Sequence, residues 1–439
     1  MLNIFSRMLR INRFGEMQKV RALFIIEACI GTALFNLATG AFLAGFAVSL
    51  GASDWLCGLL GVIPMMAGMA QIFSPLILER VKDRRPVVAS FLSLHKVLLC
   101  TVVLIPLLIS NTSARLVALL VFLLLSFFSC NIIWPGYSTW LTSVTSEETR
   151  GRFFGIKDSY ALTVNTIVLL IMGFVLDSFK RPGNKSPDFE GFVAVYSVAA
   201  VLAVINIFIL FKLRGPETQP SITPIKLRDC FTKPLADKGY LKLVVFFSLW
   251  NFGLNIGAPF LPVYQVKYLN LDYKYIMILN LLYNITMVIS VRFWGRYADR
   301  TSWVHSSVLS VGVLAITHFL WVFISGDFLY LLPLVFITNG IAFGGINISL
   351  FNLPFLFAPQ ENKTIYLGFN AALGGVSGLA ATLLGGRLVE VVENGTGMGI
   401  PGISGIQTVI LLSSLLLATC SFYGGRKLMS RVEGRSLDI

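Results

Sequence analysis

Charge is what this sequence has least of. Asp, Glu, Lys and Arg make up 13% of its 439 residues, about half the share usual in a soluble globular chain. Histidine is close to absent, at three residues. The six cysteines are Cys29, Cys57, Cys100, Cys130, Cys230 and Cys420, with no CxxC pair and no histidine nearby at ligand spacing. Five of them fall in apolar surroundings, where a thiol behaves as a small hydrophobe. Neither a disulfide framework nor a metal centre is expected. The sequence also has no GxSxG, no HExxH and no phosphate-binding glycine loop followed by Lys and Ser or Thr. These absences argue against an enzyme and against any cofactor. Without a nucleotide site, energy for work on a solute must come from an ion gradient.

What the sequence has in quantity is apolar length. Hydrophobic residues reach 56%, and they come in long blocks. A helix needs about 20 apolar residues to cross the hydrocarbon core. Twelve blocks qualify, at 21–49, 54–78, 87–109, 114–137, 152–178, 191–213, 239–266, 271–294, 302–324, 328–352, 363–389 and 404–425. The first is too long for the core of a cleavable signal and reads as a span. Backbone groups find no water in lipid, so spans are helices or a closed barrel. Continuous apolar runs exclude the alternation of barrel strands. The expected fold is an all-α membrane protein of 12 transmembrane helices in two six-helix bundles.

The net charge of +13 is explained by topology. Only Arg115, Lys180, Arg181, Lys185, Lys267, Lys274 and Arg387 fall on one side of the blocks, and Lys96 lies within one. The other 27 Lys and Arg share the side of both termini. Basic residues concentrate on the cytoplasmic side. A multi-pass protein of the cell (plasma) membrane with both termini cytoplasmic is therefore expected, with no nucleic-acid partner. The stretch MLNIFSRMLRINRF at the start places Leu2, Phe5 and Leu9 on one helical side. It reads equally as a short helix on the inner leaflet or a solvated basic tail.

The chain also carries traces of duplication. The longest hydrophilic stretch, about 214–238, is read as a cytoplasmic linker between bundles at 1–213 and 239–439. PLILERVKDRRP, starting at Pro75, matches GRYADRTSW, starting at Gly295. The offset of 220 places Glu79-Arg80 on Asp299-Arg300. Glu148-x-Arg150-x-x-x-x-Gly155 matches Glu361-x-Lys363-x-x-x-x-Gly368 at an offset of 213. Both matches fall at equivalent cytoplasmic places. Two repeated halves are a transporter's pattern, with solute bound near the midplane.

On these residues the chain resembles the major facilitator superfamily along nearly its whole length. Gly295, Asp299 and Arg300 look like the family's signature loop, and Arg150-Gly-Arg-Phe-Phe-Gly155 looks like its start of span five. The first-half loop departs from the pattern, with Pro75 where Gly is usual and Glu79 where Asp is usual. The resemblance implies 12 pseudo-symmetric spans and alternating access. It also implies a cytoplasmic gate made by Glu79, Arg80, Arg150, Gly295, Asp299, Arg300 and Lys363. Glu79 is expected near Lys363 and Asp299 near Arg150, each carboxylate facing a helix N-terminus. The competing reading is that these charges only obey the positive-inside rule.

Ionisable residues within spans are costly and so are functional candidates. Glu27 in span one and Asp158 in span five each lie about 9 Å past the start of their span, at 1.5 Å per residue. In the resembled fold those spans border the central cavity, so both residues are candidates for coupling to protons or another ion. The alternatives are a fixed ion pair of Glu27 with Lys96, and of Asp158 with Lys157 or Arg152. His95 and His318 are read as hydrogen-bonded packing. Cavity candidates are Asn36, Asn131, Trp134, Asn165, Trp250, Asn251, Asn255, Asn284, Asn339 and Asn347. For each Asn, interhelical hydrogen bonding is the competing role. An aromatic surface with scattered amides suits an amphipathic organic solute. It lacks the basic cluster that a phosphate would require. The expected function is proton-coupled export of such a solute by a monomer in the lipid bilayer. The alternatives are an uptake symporter for a sugar or other small metabolite, and a lipid flippase or non-transporting membrane sensor.

Overall fold

The computed structural model describes residues 15–78, 81, 83–145, 147–180, 187–213, 229–357, 363–393 and 403–429, and among them every regular element is helical. The longer helices are α1 (Glu16–Leu37), α2 (Gly40–Ser49), α3 (Asp54–Met66), α4 (Arg84–Thr101), α5 (Thr112–Ser143), α6 (Glu147–Ser178) and α7 (Phe189–Lys212). They continue with α8 (Lys238–Asn255), α9 (Tyr273–Arg300), α10 (Trp303–Trp321), α11 (Leu332–Phe357), α12 (Lys363–Glu393) and α13 (Gly405–Lys427). Polar residues at the block edges start several of them. Asn111 accepts from the Ala114 N–H, Asp237 from those of Gly239 and Tyr240, and Ser404 forms a reciprocal pair with Gln407. Each such cap satisfies backbone donors that the helix leaves free.

Eleven helical segments among the described residues are long and apolar enough to cross a membrane, from Met17–Ser49 to Gly405–Lys427. Their bounds follow the apolar blocks of the sequence. The remaining block, 54–78, is helical along its length but broken. α3 stops at Met66, a tight 3₁₀ stretch covers Ala67–Phe73, and a short helix covers Ser74–Leu78. Pro64 inside α3 lacks the N–H that would continue the helical ladder. The first segment is also interrupted, at Ala38 and Thr39, and resumes at Gly40 with φ +58. That left-handed conformation is open to glycine at no steric cost.

The chain divides into two compact units, Met1–Leu50 with Ala70–Thr223, and Gly51–Met69 with Pro224–Ile439. In the first unit α1 packs along α6 and α7, and α4 packs along α5 and α7. Its core gathers Phe24, Val88, Leu92, Ile133 and Trp140, with the Phe24 and Trp140 rings edge to face at 5.5 Å. In the second unit α9 packs on α11, α10 on α11 and α13, α8 on α12 and α13, and α3 on α12. Small residues allow close approach. A Cβ at Gly345 would come within 2.6 Å of Ser310 Cβ, and one at Gly340 within 2.7 Å of the Tyr283 carbonyl oxygen.

Large apolar side chains point outward in both units, including Leu108, Ile171 and Phe208 in the first, and Phe293, Tyr330 and Phe422 in the second. Most buried polar side chains lie inside with hydrogen bonds. This distribution suits lipid as the solvent.

Candidate functional site

The first unit holds a carboxylate deep among its helices. Glu27 on α1 is 5% exposed. Tyr137 of α5 donates its hydroxyl to Glu27 Oε2 at 2.5 Å. Lys96 of α4 places Nζ 3.8 Å from Glu27 Oε1. Asn206 of α7 donates Nδ2 to the Glu27 backbone carbonyl at 2.8 Å. Four helices therefore converge on one residue. Lys96 is itself buried, so the two charges compensate each other where neither can be hydrated. At 3.8 Å the ammonium is an ion-pair partner at longer range than a hydrogen bond. Among the described residues, the one direct hydrogen bond to the carboxylate comes from the Tyr137 phenol. Asn206 Oδ1 is buried and accepts no hydrogen bond among the described residues.

Tyr137 also links this carboxylate to a surface. Its ring lies 5.3 Å from that of Trp134, which is 45% exposed, while Tyr137 is buried. The aromatic pair thus runs from the outside of the unit to Glu27. Asp158 stands in a different setting. Its side chain is 66% exposed and takes an ion pair from the adjacent Lys157 at 2.5 Å. The Lys157 ammonium lies 5.5 Å over the Phe154 ring. Glu27 and Lys96 are brought together as one of the two sequence readings had them; Asp158 belongs to a separate, local pair.

The amide candidates sort by unit. In the first, Asn36 Nδ2 donates to Asn165 Oδ1 at 3.1 Å, and Gln71 Nε2 donates to Asn131 Oδ1 at 3.1 Å. Each bond joins two helical elements. In the second, Asn251 and Asn255 are buried and donate to the carbonyls one turn back, at Phe247 and Asn251. Trp250 is buried in the hydrophobic core with Phe246, Val311 and Leu417. Asn347 is exposed and reaches Met287 Sδ at 3.6 Å, while Asn284 and Asn339 are half-buried. Both span histidines are packed. His95 Nδ1 lies 2.8 Å from Ser126 Oγ, and His318 Nδ1 lies 2.7 Å from Ser413 Oγ.

The family model of the Major Facilitator Superfamily matches residues 22–382. The chain belongs to this superfamily. A solved point mutant of the nucleoside transporter NupG shares its fold with a TM-score of 0.71 at 15% identity, covering 93% of this chain and 99% of that one. A bacterial homologue of the iron transporter ferroportin, in an inward-facing state, gives 0.71 at 12% identity, covering 94% and 100%. A D-xylose–proton symporter gives 0.68 at 9% identity, covering 94% and 98%. No curated protein matches the chain in sequence.

The superfamily's signature residues lie at the end of α9. Gly295 is half-buried, and Asp299 and Arg300 are exposed, with Arg300 closing the helix. Glu79 and Arg80 fall outside the described residues, as does the 1–14 segment. Arg150 lies in the first turn of α6 and Lys363 begins α12, but their side chains too lie outside the described residues. Tyr137, Asn206 and Gln71 were missed in the sequence. An amide in the apolar run VLAVINIFILF is a signal in its own right for Asn206. Tyr137 gave none, because its hydroxyl meets Glu27 only through the packing of α1 on the bundle.

Proposed function

We propose that this superfamily member is a secondary active transporter that moves a small organic solute by alternating access, coupled to protons through Glu27. The observation that carries this reading is the set of contacts at Glu27. An ionisable group inside a membrane-spanning helix is expensive and is retained for a function by default. Here the carboxylate has a cation, Lys96, that can stay as counter-charge, and a phenol, Tyr137, that holds one oxygen. When Glu27 is protonated, its pairing with Lys96 weakens and the helices α1 and α4 lose a mutual attraction. A proton is thereby tied to how firmly the first unit holds together. Asp158 is the second coupling candidate, through its exposed pair with Lys157.

Export of an amphipathic compound is the preferred direction and class. Exposed Trp134 offers an aromatic face, and Asn131, one turn earlier on α5, offers an amide without fixed charge. Uptake of a polar metabolite is the second reading. The interhelical amide pairs Asn36–Asn165 and Gln71–Asn131 favour it, because such amides can exchange partners with the hydroxyls of a sugar or a nucleoside. Among proteins of this fold, one is named as a nucleoside transporter and another as a D-xylose–proton symporter.

The test is solute flux in proteoliposomes under an imposed pH gradient. The panel holds nucleosides, sugars and amphipathic aromatic compounds. The proposal expects gradient-driven movement of one class, and export predicts the aromatic class moving against proton flow. Flux that ignores the gradient for every compound defeats the coupling claim.

A further inference from the structure

A groove of about 420 Å³ runs along the outside of the second unit, between α10 and α13. Its floor is Gly312 on α10 with Ser414, Ala418 and Ser421 on α13. A Cβ at Gly312 would come within 3.2 Å of Ser421 Oγ, so the two helices nearly touch along this floor. Its walls are Ile316, Phe319 and Phe422, which are 60%, 46% and 62% exposed. Large apolar side chains turned outward are stable only where lipid is the solvent. The floor is apolar despite its serines. Ser414 donates to the Ala315 carbonyl and Ser421 to the Val308 carbonyl, both at 2.8 Å. Neither hydroxyl has a proton left for a solute.

The dimensions are those of one membrane leaflet. Ser414 and Phe422 are eight residues apart on α13, about 12 Å at 1.5 Å per residue. One leaflet of the hydrocarbon core is about 15 Å deep, half of about 30 Å. One end of the groove is charged. The Arg426 guanidinium lies 4.5 Å over the Phe422 ring, and Lys427 follows in the same last turn of α13. Both basic residues are exposed, and among the described residues neither has a carboxylate partner. A guanidinium that rests on a ring keeps its outer N–H groups for a phosphate. Basic residues also complement the carbonyl end of a helix dipole. That reading accounts for the two charges but not for the apolar groove that leads away from them. A cationic rim above an apolar, leaflet-deep channel matches a phospholipid, and the charge selects an anionic one.

We propose that this groove binds one anionic phospholipid, with an acyl chain between α10 and α13 and the phosphate on Arg426 and Lys427. The lipid then joins the two helices from the membrane side. The site is independent of any solute the protein moves.

The test is native mass spectrometry of the full-length protein in detergent, titrated with phosphatidylglycerol or with phosphatidylcholine of the same chains. One phosphatidylglycerol should bind ahead of the rest, several-fold tighter than phosphatidylcholine. Arg426→Gln should weaken this first adduct about fivefold, the effect of one basic residue at an anionic membrane surface. Ala418→Phe fills the groove from an exposed position and should remove the adduct. Phosphatidylglycerol should also raise the melting temperature of the wild type more than that of Ala418→Phe. If Ala418→Phe does not fold, Phe422→Ala, which removes a wall and the ring under Arg426, should weaken the adduct several-fold. Glycerol phosphate, a headgroup without chains, should not displace the lipid; displacement would make this an anion site and overturn the proposal. Equal affinity for the two lipids overturns it, as does a first adduct that Ala418→Phe leaves intact. A dimer whose formation excludes the lipid also overturns it, since the groove would then seat a second copy of the chain.

Discussion

Replacing Lys96 by Met is the sharpest perturbation of the Glu27 site. Both side chains are almost fully enclosed, at 6% and 7% exposure. Met keeps the length and apolar stem of Lys while deleting the charge. Glu27 would then keep the Tyr137 hydroxyl but face no counter-charge. Removing one partner of a buried pair costs about 3–5 kcal/mol, because it strands the other charge. For a unit of this size, 1 kcal/mol moves the melting temperature by about 2–4 °C, so a fall of about 6–20 °C is expected. Glu27→Gln strands Lys96 and should cost a comparable amount. The double variant strands neither, and replacement of a buried pair by neutral groups is often close to harmless. Its loss should therefore be well below the sum of the single losses. The assay is thermal unfolding of purified protein in one detergent at pH 7. Additive losses, or single variants that melt with the wild type, would refute the claim that these charges compensate each other.

Four other outcomes follow from the same geometry. Tyr137→Phe deletes the direct hydrogen bond to Glu27 and should cost about 1–3 kcal/mol in the same melt, with a shifted pH dependence of transport as its second readout. Gly385→Ala places a Cβ only 2.3 Å from the Ile256 backbone oxygen; an overpacking loss of about 1–3 kcal/mol is expected, and an unaltered melt would show that α12 moves aside freely. Asp299→Asn should impair transport while surface expression and membrane insertion stay at wild-type levels, and full transport by this variant would leave Asp299 no role beyond topology. Asp83 starts α4, accepts the Arg85 N–H and is held below the usual carboxylate range by hydrogen bonds from the Arg85 side chain. Its stabilising effect is present above its unfolded value of about 3.9 and fades as pH falls through the lowered value. Being half exposed, it is worth at most about 1 kcal/mol. Asp83→Asn should therefore melt slightly below wild type at pH 7, with the gap narrowing as pH falls below about 3.9.

The spans were legible because one physical constraint dominates them. A segment in lipid must satisfy its own backbone, and only a long apolar helix does so. Blocks such as 191–213 and 404–425 accordingly reappear as Phe189–Lys212 and Gly405–Lys427. The break at Met66 was less visible, since Pro64 in an apolar run is compatible with either a kinked or a divided helix. The candidate site was legible by half. Glu27 and Lys96 stood out because charge is rare in these blocks. Their partners Tyr137 and Asn206 are ordinary residues whose roles arise only from helix packing. The ion pair of Asp54 with Lys267 was hidden for the opposite reason. They lie near block edges, where a charge is expected to be solvated, and nothing local says that the chain brings them within 2.6 Å. Trp250 shows the converse limit, because an aromatic in a span serves a core as readily as a cavity.

The central claim is that Glu27 carries the proton of the transport cycle. The measurement closest to it is compound-dependent proton movement into proteoliposomes, with a pH-sensitive dye trapped inside, for wild type and Glu27→Gln. The account predicts that a transported compound changes the internal pH in the wild type, and that Glu27→Gln moves the compound with no pH change. Proton movement at wild-type rate in Glu27→Gln would contradict it.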